Sequence, residues 1–342
     1  MIQSTRVKVA VDAMGGDYAP EEIVKGAILA ARQNNVEIAL VGSTCVLEKE
    51  LAKHRFSGNG HIKLFEAREF IREDEAPALA VRNKPDCSIA IATKLLKTGE
   101  VQAFVSAGSS GAVAVSAMQH LGMLEGVERP TVGGHLGSFA PNVIMVDIGA
   151  NADCKPYQFV TFGIIGSVLA KKFLNITNPT IALLSTGIEE GKGNEVVRES
   201  YYLLKNSNLN FIGNIEGNDI LSGKANVVIC DGFVGNVLLK FYESIPDYAL
   251  VWTKNKLKKY PLLGPAAGSF FNKLFPVTKM THEGEDNGSG ILWGVNGVVR
   301  LAHGNCQAPA IAHAITNAKN AVNADIIGCL QSELAKFNNG IK

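Results

Sequence analysis

Along most of the chain, short apolar and often β-branched runs alternate with amphipathic stretches. The runs cover 7–11, 37–42, 62–65, 102–108, 142–147, 180–185, 211–214 and 226–230. Each is short, nearly continuous in its apolar residues and bounded by turn formers, as strands buried on both faces are. Between them, apolar residues recur at helical spacing over 21–32, 87–96, 111–121, 159–173 and 194–204. Such alternation predicts a three-layer α/β/α fold, with a mostly parallel sheet and helices on both faces. The whole chain, 1–342, reads as one α/β domain without repeats, low-complexity tracts or an evident linker.

The stretch 101–124 carries no formal charge and is long enough to cross a bilayer. Gln102, His120, several serines and the Gly108-Ser109-Ser110-Gly111 turn interrupt it, so it reads as strand, loop and buried helix.

In parallel sheets, ligands bind beyond the carboxyl ends of strands. Five predicted strands here run into loops rich in Gly, Asp, Asn and Ser: Asp12 to Asp17, Gly108 to Gly111, Asp147 to Asn151, Thr186 to Asn194 and Asp231 to Asn236. A glycine loop ahead of a helix lets backbone N–H groups approach an anion, and the helix dipole adds positive potential. The 187–194 loop is the strongest instance, because Lys192 adds a full charge and a helix is expected to start at Gly193 or Asn194. Asp12, Asp147 and Asp231 either cap the turns that follow them or orient a lysine, water or oxyanion; Glu189 and Glu190 are loop charges or partners of Lys192.

Composition narrows the chemistry. With 33 Lys+Arg, 32 Asp+Glu and a net charge of +1, the chain lacks the field of a nucleic-acid binder. The six cysteines are widely spaced, without a CxxC pair or zinc spacing, and read as buried thiols. The 187–194 loop is one residue short of a Walker A loop and has Gly193 where a magnesium-binding Ser or Thr belongs. No GxGxxG follows the first strand, no GxSxG elbow presents a serine, and the histidines form no chelating pair.

Read in order, the loops resemble one family. The carrying segments are Val9 to Asp17 (VAVDAMGGD), Val105 to Gly108 with Gly111-Ala112, Asp147 to Asn151 with Asp153 to Pro156, Glu189 to Glu195, Phe211 to Gly217, Cys230 to Asn236 (CDGFVGN), and Gly297 to Val299 with Ala302 to Gly304. Together they resemble the bacterial phosphate acyltransferases of phospholipid synthesis, across nearly the whole chain. That resemblance implies a fold similar to isocitrate and isopropylmalate dehydrogenases and to phosphate acetyltransferases. It implies transfer of a fatty acyl group from acyl-acyl carrier protein to orthophosphate, without a metal or organic cofactor. The product, acyl phosphate, would pass to a glycerol-3-phosphate acyltransferase. The resemblance further implies a cytoplasmic homodimer held peripherally at the inner face of the cell membrane.

On this reading Gly191, Lys192, Gly193 and Asn194 bind phosphate, and Lys192, Asn194, Asn236 and Asp231 form the catalytic set. Asn236, Ser106 or Ser110 donates to the developing oxyanion. Asp12, Gly15, Gly16, Ser106, Gly108, Ser110, Asn151 and His303 are expected to contact substrate. The chain departs from the family pattern at Ser109-Ser110, where Asn-Thr is usual, at Ile188, where Glu is usual, and at Gln307 and Pro309, near which Asp and Arg are usual.

One region differs in composition: Lys254 to Lys279 holds six lysines and no acid. Beside them stand Leu262, Leu263, Phe270, Phe271, Leu274 and Phe275, the last four on one helical face. A basic amphipathic segment over 246–282 suits an anionic membrane surface, an acidic carrier protein or a partner subunit.

Overall fold

A computed structural model describes residues 6–33, 35–54, 61–137, 140–257 and 289–340. Its strands are β1 (Lys8–Asp12), β2 (Glu37–Gly42), β3 (Ile62–Glu66), β4 (Ala103–Ser106), β5 (Thr131–His135), β6 (Ile144–Val146), β7 (Ile181–Leu184), β8 (Phe211–Ile215), β9 (Val227–Ile229), β10 (Ser289–Trp293) and β11 (Val298–Ala302). Its helices are α1 (Glu21–Gln33), α2 (Thr44–Lys53), α3 (Pro77–Asn83), α4 (Ser88–Thr98), α5 (Ser110–Leu121), α6 (Pro156–Phe173), α7 (Glu195–Lys205), α8 (Gly217–Ser222), α9 (Gly232–Leu257), α10 (Ala308–Asn323) and α11 (Ile326–Gly340). All eight predicted strands and all five predicted helices are present, with boundaries moved by a few residues.

The strands form one sheet in the order β3-β2-β1-β4-β11-β10-β5-β6-β9-β7-β8. Side chains alternate across it: Val9 and Val11 enter one core and Ala10 the opposite one. On the first face a continuous core joins both halves of the sheet beneath α1, α6, α7 and α10. On the other face the core is split, one part under α4 and α5 and one beside α8 and α9. Where α1 crosses α10 the approach is close, since a Cβ at Gly26 would lie 2.6 Å from the Cβ of Ile311.

Strand direction decides where the loops go. β3, β2, β1, β4 and β11 are mutually parallel, as are β6, β9, β7 and β8. Between them β10 is antiparallel to both β11 and β5, and β5 is antiparallel to β6. These three reversals turn the second half upside down relative to the first. The carboxyl ends of β1, β4 and β11 therefore leave the sheet at one edge, and those of β6, β7 and β9 at the other.

The first part of the predicted basic segment, 246–257, is the end of α9. Leu262, Leu263, Phe270, Phe271, Leu274 and Phe275 lie outside the described residues. Among the described residues no helix is long and apolar enough to cross a membrane.

Candidate active site

At the first edge, β1 ends on Asp12, which is 1% exposed. Its carboxylate accepts hydrogen bonds from Ser106 Oγ at 2.8 Å and from the Met14 amide at 3.1 Å. Burial pushes the Asp12 carboxyl up, and the hydroxyls of Ser88 and Ser106 with the amides of Met14 and Gly15 pull it back. Ser106 Oγ in turn accepts from the Gly108 amide at 3.0 Å. Gly15 sits so close that a Cβ there would lie 2.5 Å from Asp12 Oδ2 and 2.7 Å from Gly108 Cα. The glycines of this motif thus let two loops touch backbone to backbone. Asp12, Gly15, Ser106 and Gly108, expected to contact substrate, are buried in this joint and hold the loops to one another.

Other groups here face outward. Ser110 is the exposed first residue of α5, behind the buried Ser109 at the N-cap. The Asp17 amide bonds the Gly304 carbonyl at 2.8 Å, which brings His303 beside the β1 loop and Gly16. His303 Nε2 lies 3.6 Å from Glu243 Oε1 on α9, an ion pair when the imidazole is protonated. Tyr242, its neighbour on α9, donates to the Leu136 carbonyl at 2.5 Å. These two contacts hold α9 against first-half loops on the split face.

At the second edge Asp147, fully buried, repeats the device of Asp12. It accepts from the amides of Gly149, Ala150 and Asn151 at 2.9, 2.8 and 3.0 Å and from Asn151 Nδ2 at 2.7 Å. Burial pushes its carboxyl up, against the pull of these donors and of Thr131. Asn151 Nδ2 also donates to the Pro130 carbonyl at 2.8 Å, so its amide is spent inside the fold. Asp231 Oδ1 accepts from the Val234 amide at 2.8 Å and caps α9, the capping alternative for this residue. Asn236, half-buried at the start of the second turn of α9, lies over Gly149. Burial pushes the Cys154 thiol up to about 12 and Cys230 well above its ordinary value, so neither is poised as a nucleophile.

Beside these, β7 runs into the 187–194 loop. Lys192 is exposed, and its aliphatic stem folds over Gly187, where a Cβ would lie 2.9 Å from Lys192 Cγ. Gly193 has φ +96°, the left-handed conformation that favours glycine. Asn194 caps α7, its Oδ1 accepting from the Val197 amide at 2.9 Å. Glu190 pairs with Lys205 at 2.6 Å and Tyr201 at 3.1 Å, so it does not serve Lys192. Among the described residues Lys192 makes no ion pair with any acid. Arg198, missed in the sequence, bonds the Gly193 carbonyl at 2.9 Å and adds a second cation to the corner. Its spacing, four residues beyond the cap on the first turn of the helix, was the available signal.

The five loops thus divide into two groups. Asp12, Gly15, Gly16, Ser106, Gly108, Ser110 and His303 share the first edge; Asn151, Asp231, Asn236 and the Gly191-Lys192-Gly193-Asn194 corner share the second. Within one chain the sheet separates them.

A sequence family described as "Fatty acid synthesis protein" matches residues 7–328. A phosphate acyltransferase from Pelotomaculum thermopropionicum is 42% identical over 335 residues, covering 96% of this chain and 95% of its own. Another, from Heliobacterium modesticaldum, is 40% identical over 328 residues, covering 96% and 98%. Among solved structures, a phosphotransacetylase from Streptococcus pyogenes superposes with a TM-score of 0.62 at 17% identity, covering 94% of this chain and 95% of that one. At that identity the likeness is one of fold.

Proposed function

The chain belongs to the phosphate acyltransferase family, and on that premise we propose that it transfers a long-chain fatty acyl group from acyl-acyl carrier protein to orthophosphate. An oxygen of phosphate attacks the thioester carbonyl, the C–S bond breaks, and the thiol of the phosphopantetheine arm leaves with the phosphate proton. The product is acyl phosphate, formed in one ternary complex without an acyl-enzyme. The thiols of Cys154 and Cys230, held protonated by burial, fit a reaction with no cysteine nucleophile.

One observation carries the reading: an exposed lysine, without an acidic partner among the described residues, stands on a glycine turn at the capped N-terminus of α7. Lysine, backbone amides and helix dipole converge there on an anion. Asn236 and Ser110 remain as donors to the oxyanion, because the Ser106 hydroxyl is given to Asp12. Preorganised donors of this kind contribute about 3–4 kcal/mol each to a barrier.

The opposed loop groups favour a homodimer in which the lysine corner of one copy faces the Ser110 and His303 loops of another. α9 supports this, for Val234, Val237, Phe241, Tyr248 and Val251 are exposed at alternating three- and four-residue spacing or its multiples. That is the seam of a helix packed on another helix. Trp252 and Phe233, both about two-thirds exposed, widen it. Beyond α9 the basic segment is proposed to meet anionic lipid, with replacement of Phe271 and Phe275 by Ser expected to weaken vesicle binding and spare soluble turnover.

Thiol release from long-chain acyl-acyl carrier protein, with and without orthophosphate, tests the proposal. Phosphate-dependent release supports it; no release in either condition refutes it. The alternative donor is a coenzyme A thioester. Faster release from acyl-CoA than from the acyl carrier protein would select that reading.

A further inference from the structure

We infer that Asn214 is a positioning residue for the lysine corner, a role that rests on the phosphate-binding reading above. Asn214 lies on β8 and is 5% exposed, although neither its place in a strand nor its neighbours demand an amide. Its Nδ2 donates to the Glu189 carbonyl at 2.8 Å. The same carbonyl accepts from the Lys192 amide at 3.1 Å, closing the turn that carries the lysine. Two hydrogen bonds to one oxygen therefore link a rigid strand to the backbone of Lys192.

The floor beneath the turn is polar where apolar packing would be less costly. Asn214 Oδ1 and Ser185 Oγ are both buried without a hydrogen-bond partner among the described residues. Asn214 pairs with Leu183 across the β7–β8 ladder, so Ser185, two positions on, shares its face of the sheet. A Cβ at Gly193 would lie 3.0 Å from Ser185 Oγ, which places this floor directly under the glycine that follows Lys192. A buried acceptor left unpaired is unfavourable, and a leucine of similar size would avoid it. What the leucine lacks is the N–H that holds Glu189. Asn214 touches no reacting atom in this arrangement; it acts by fixing where Lys192 and the α7 amides point.

The test compares wild type with Asn214→Ala and the volume-preserving Asn214→Leu, using long-chain acyl-acyl carrier protein and inorganic phosphate. Both variants are expected to raise KM for phosphate by on the order of 10-fold to 100-fold, as misplacement by about an ångström does, while KM for the thioester stays unchanged. Equal rises in both constants, or an unchanged phosphate KM, overturn the inference. If wild type releases no thiol with phosphate, the functional reading itself has failed. Hydrogen exchange then decides the positioning role by itself: the Lys192 amides of Asn214→Ala and Asn214→Leu are expected to exchange about 10-fold faster than in wild type, beyond any change in global stability. Unchanged exchange at those amides overturns the clamp.

Discussion

Asp12 and Asp147 show how alike the two halves of the sheet are, and Lys192 shows where they part. Each aspartate ends a strand, is buried, and gathers amide donors from the glycine loop that follows. In both places the carboxylate serves the fold. The second half adds a further loop, 187–194, in which Lys192 is turned outward and, among the described residues, makes no ion pair with an acid. The glycine motifs VDAMGGD and CDGFVGN thus join loops to one another, with Asn236 of the second kept as a proposed oxyanion donor, while the Glu189–Asn194 corner carries the exposed lysine proposed to meet an anion.

The sharpest way to break this contrast is Lys192→Ala. It is expected to lower phosphate-dependent thiol release by about 100-fold to 1,000-fold, with no change in thermal midpoint, because the side chain makes no described ion pair. A loss of stability instead of turnover would put Lys192 with the structural residues.

Next in size is Phe241→Glu on the exposed stripe of α9. Sedimentation is expected to show a monomer, and activity is expected to fall by roughly 10-fold or more, since each edge then lacks its counterpart. A fully active monomer would mean that one edge suffices.

Gly235→Ala probes the second joint. A Cβ there would lie 1.8 Å from the Asp147 carbonyl oxygen, so α9 must move off β6. Overpacking of this kind costs about 1–3 kcal/mol or more, readable as a lower urea midpoint. The smallest effect is electrostatic. Burial holds the Asp12 carboxyl above 3.8 in the folded chain. Just above that pH the folded state binds more protons than the unfolded, so this group's contribution makes stability fall as pH rises through the raised value. Asp12→Asn is expected to flatten that slope in a pH series of urea midpoints; an unaltered slope would show that Asp12 titrates as it does when unfolded.

Much of the fold was legible because apolar runs of strand length alternate with helical spacing, as at 37–42, where expectation and β2 coincide. β5 was not legible. Its sequence, Thr131-Val-Gly-Gly-His135, has low strand propensity, and Gly133 is there because a Cβ would meet the Met145 carbonyl at 2.7 Å. Missing β5 and β10 meant missing the reversals they impose, so loops that resemble one another in sequence were read as one site. Composition also cannot show that a polar side chain bonds its own or a neighbouring loop, as Asp12, Ser106 and Asn151 do here. Asn194 was read as a phosphate ligand, and the structure spends its Oδ1 on the cap while leaving its Nδ2 at the corner. Asn214 is tied to the turn of Lys192 only through the fold, by its bond from β8 to the Glu189 carbonyl, whereas the place of Arg198 one turn beyond the Asn194 cap is readable from spacing.

The central claim is that the corner around Lys192 seats orthophosphate. Equilibrium dialysis of radiolabelled phosphate against the full chain measures this without any acyl donor. Saturable binding that Lys192→Ala abolishes is the expected result. Binding that persists undiminished in Lys192→Ala would place the phosphate elsewhere and contradict the account.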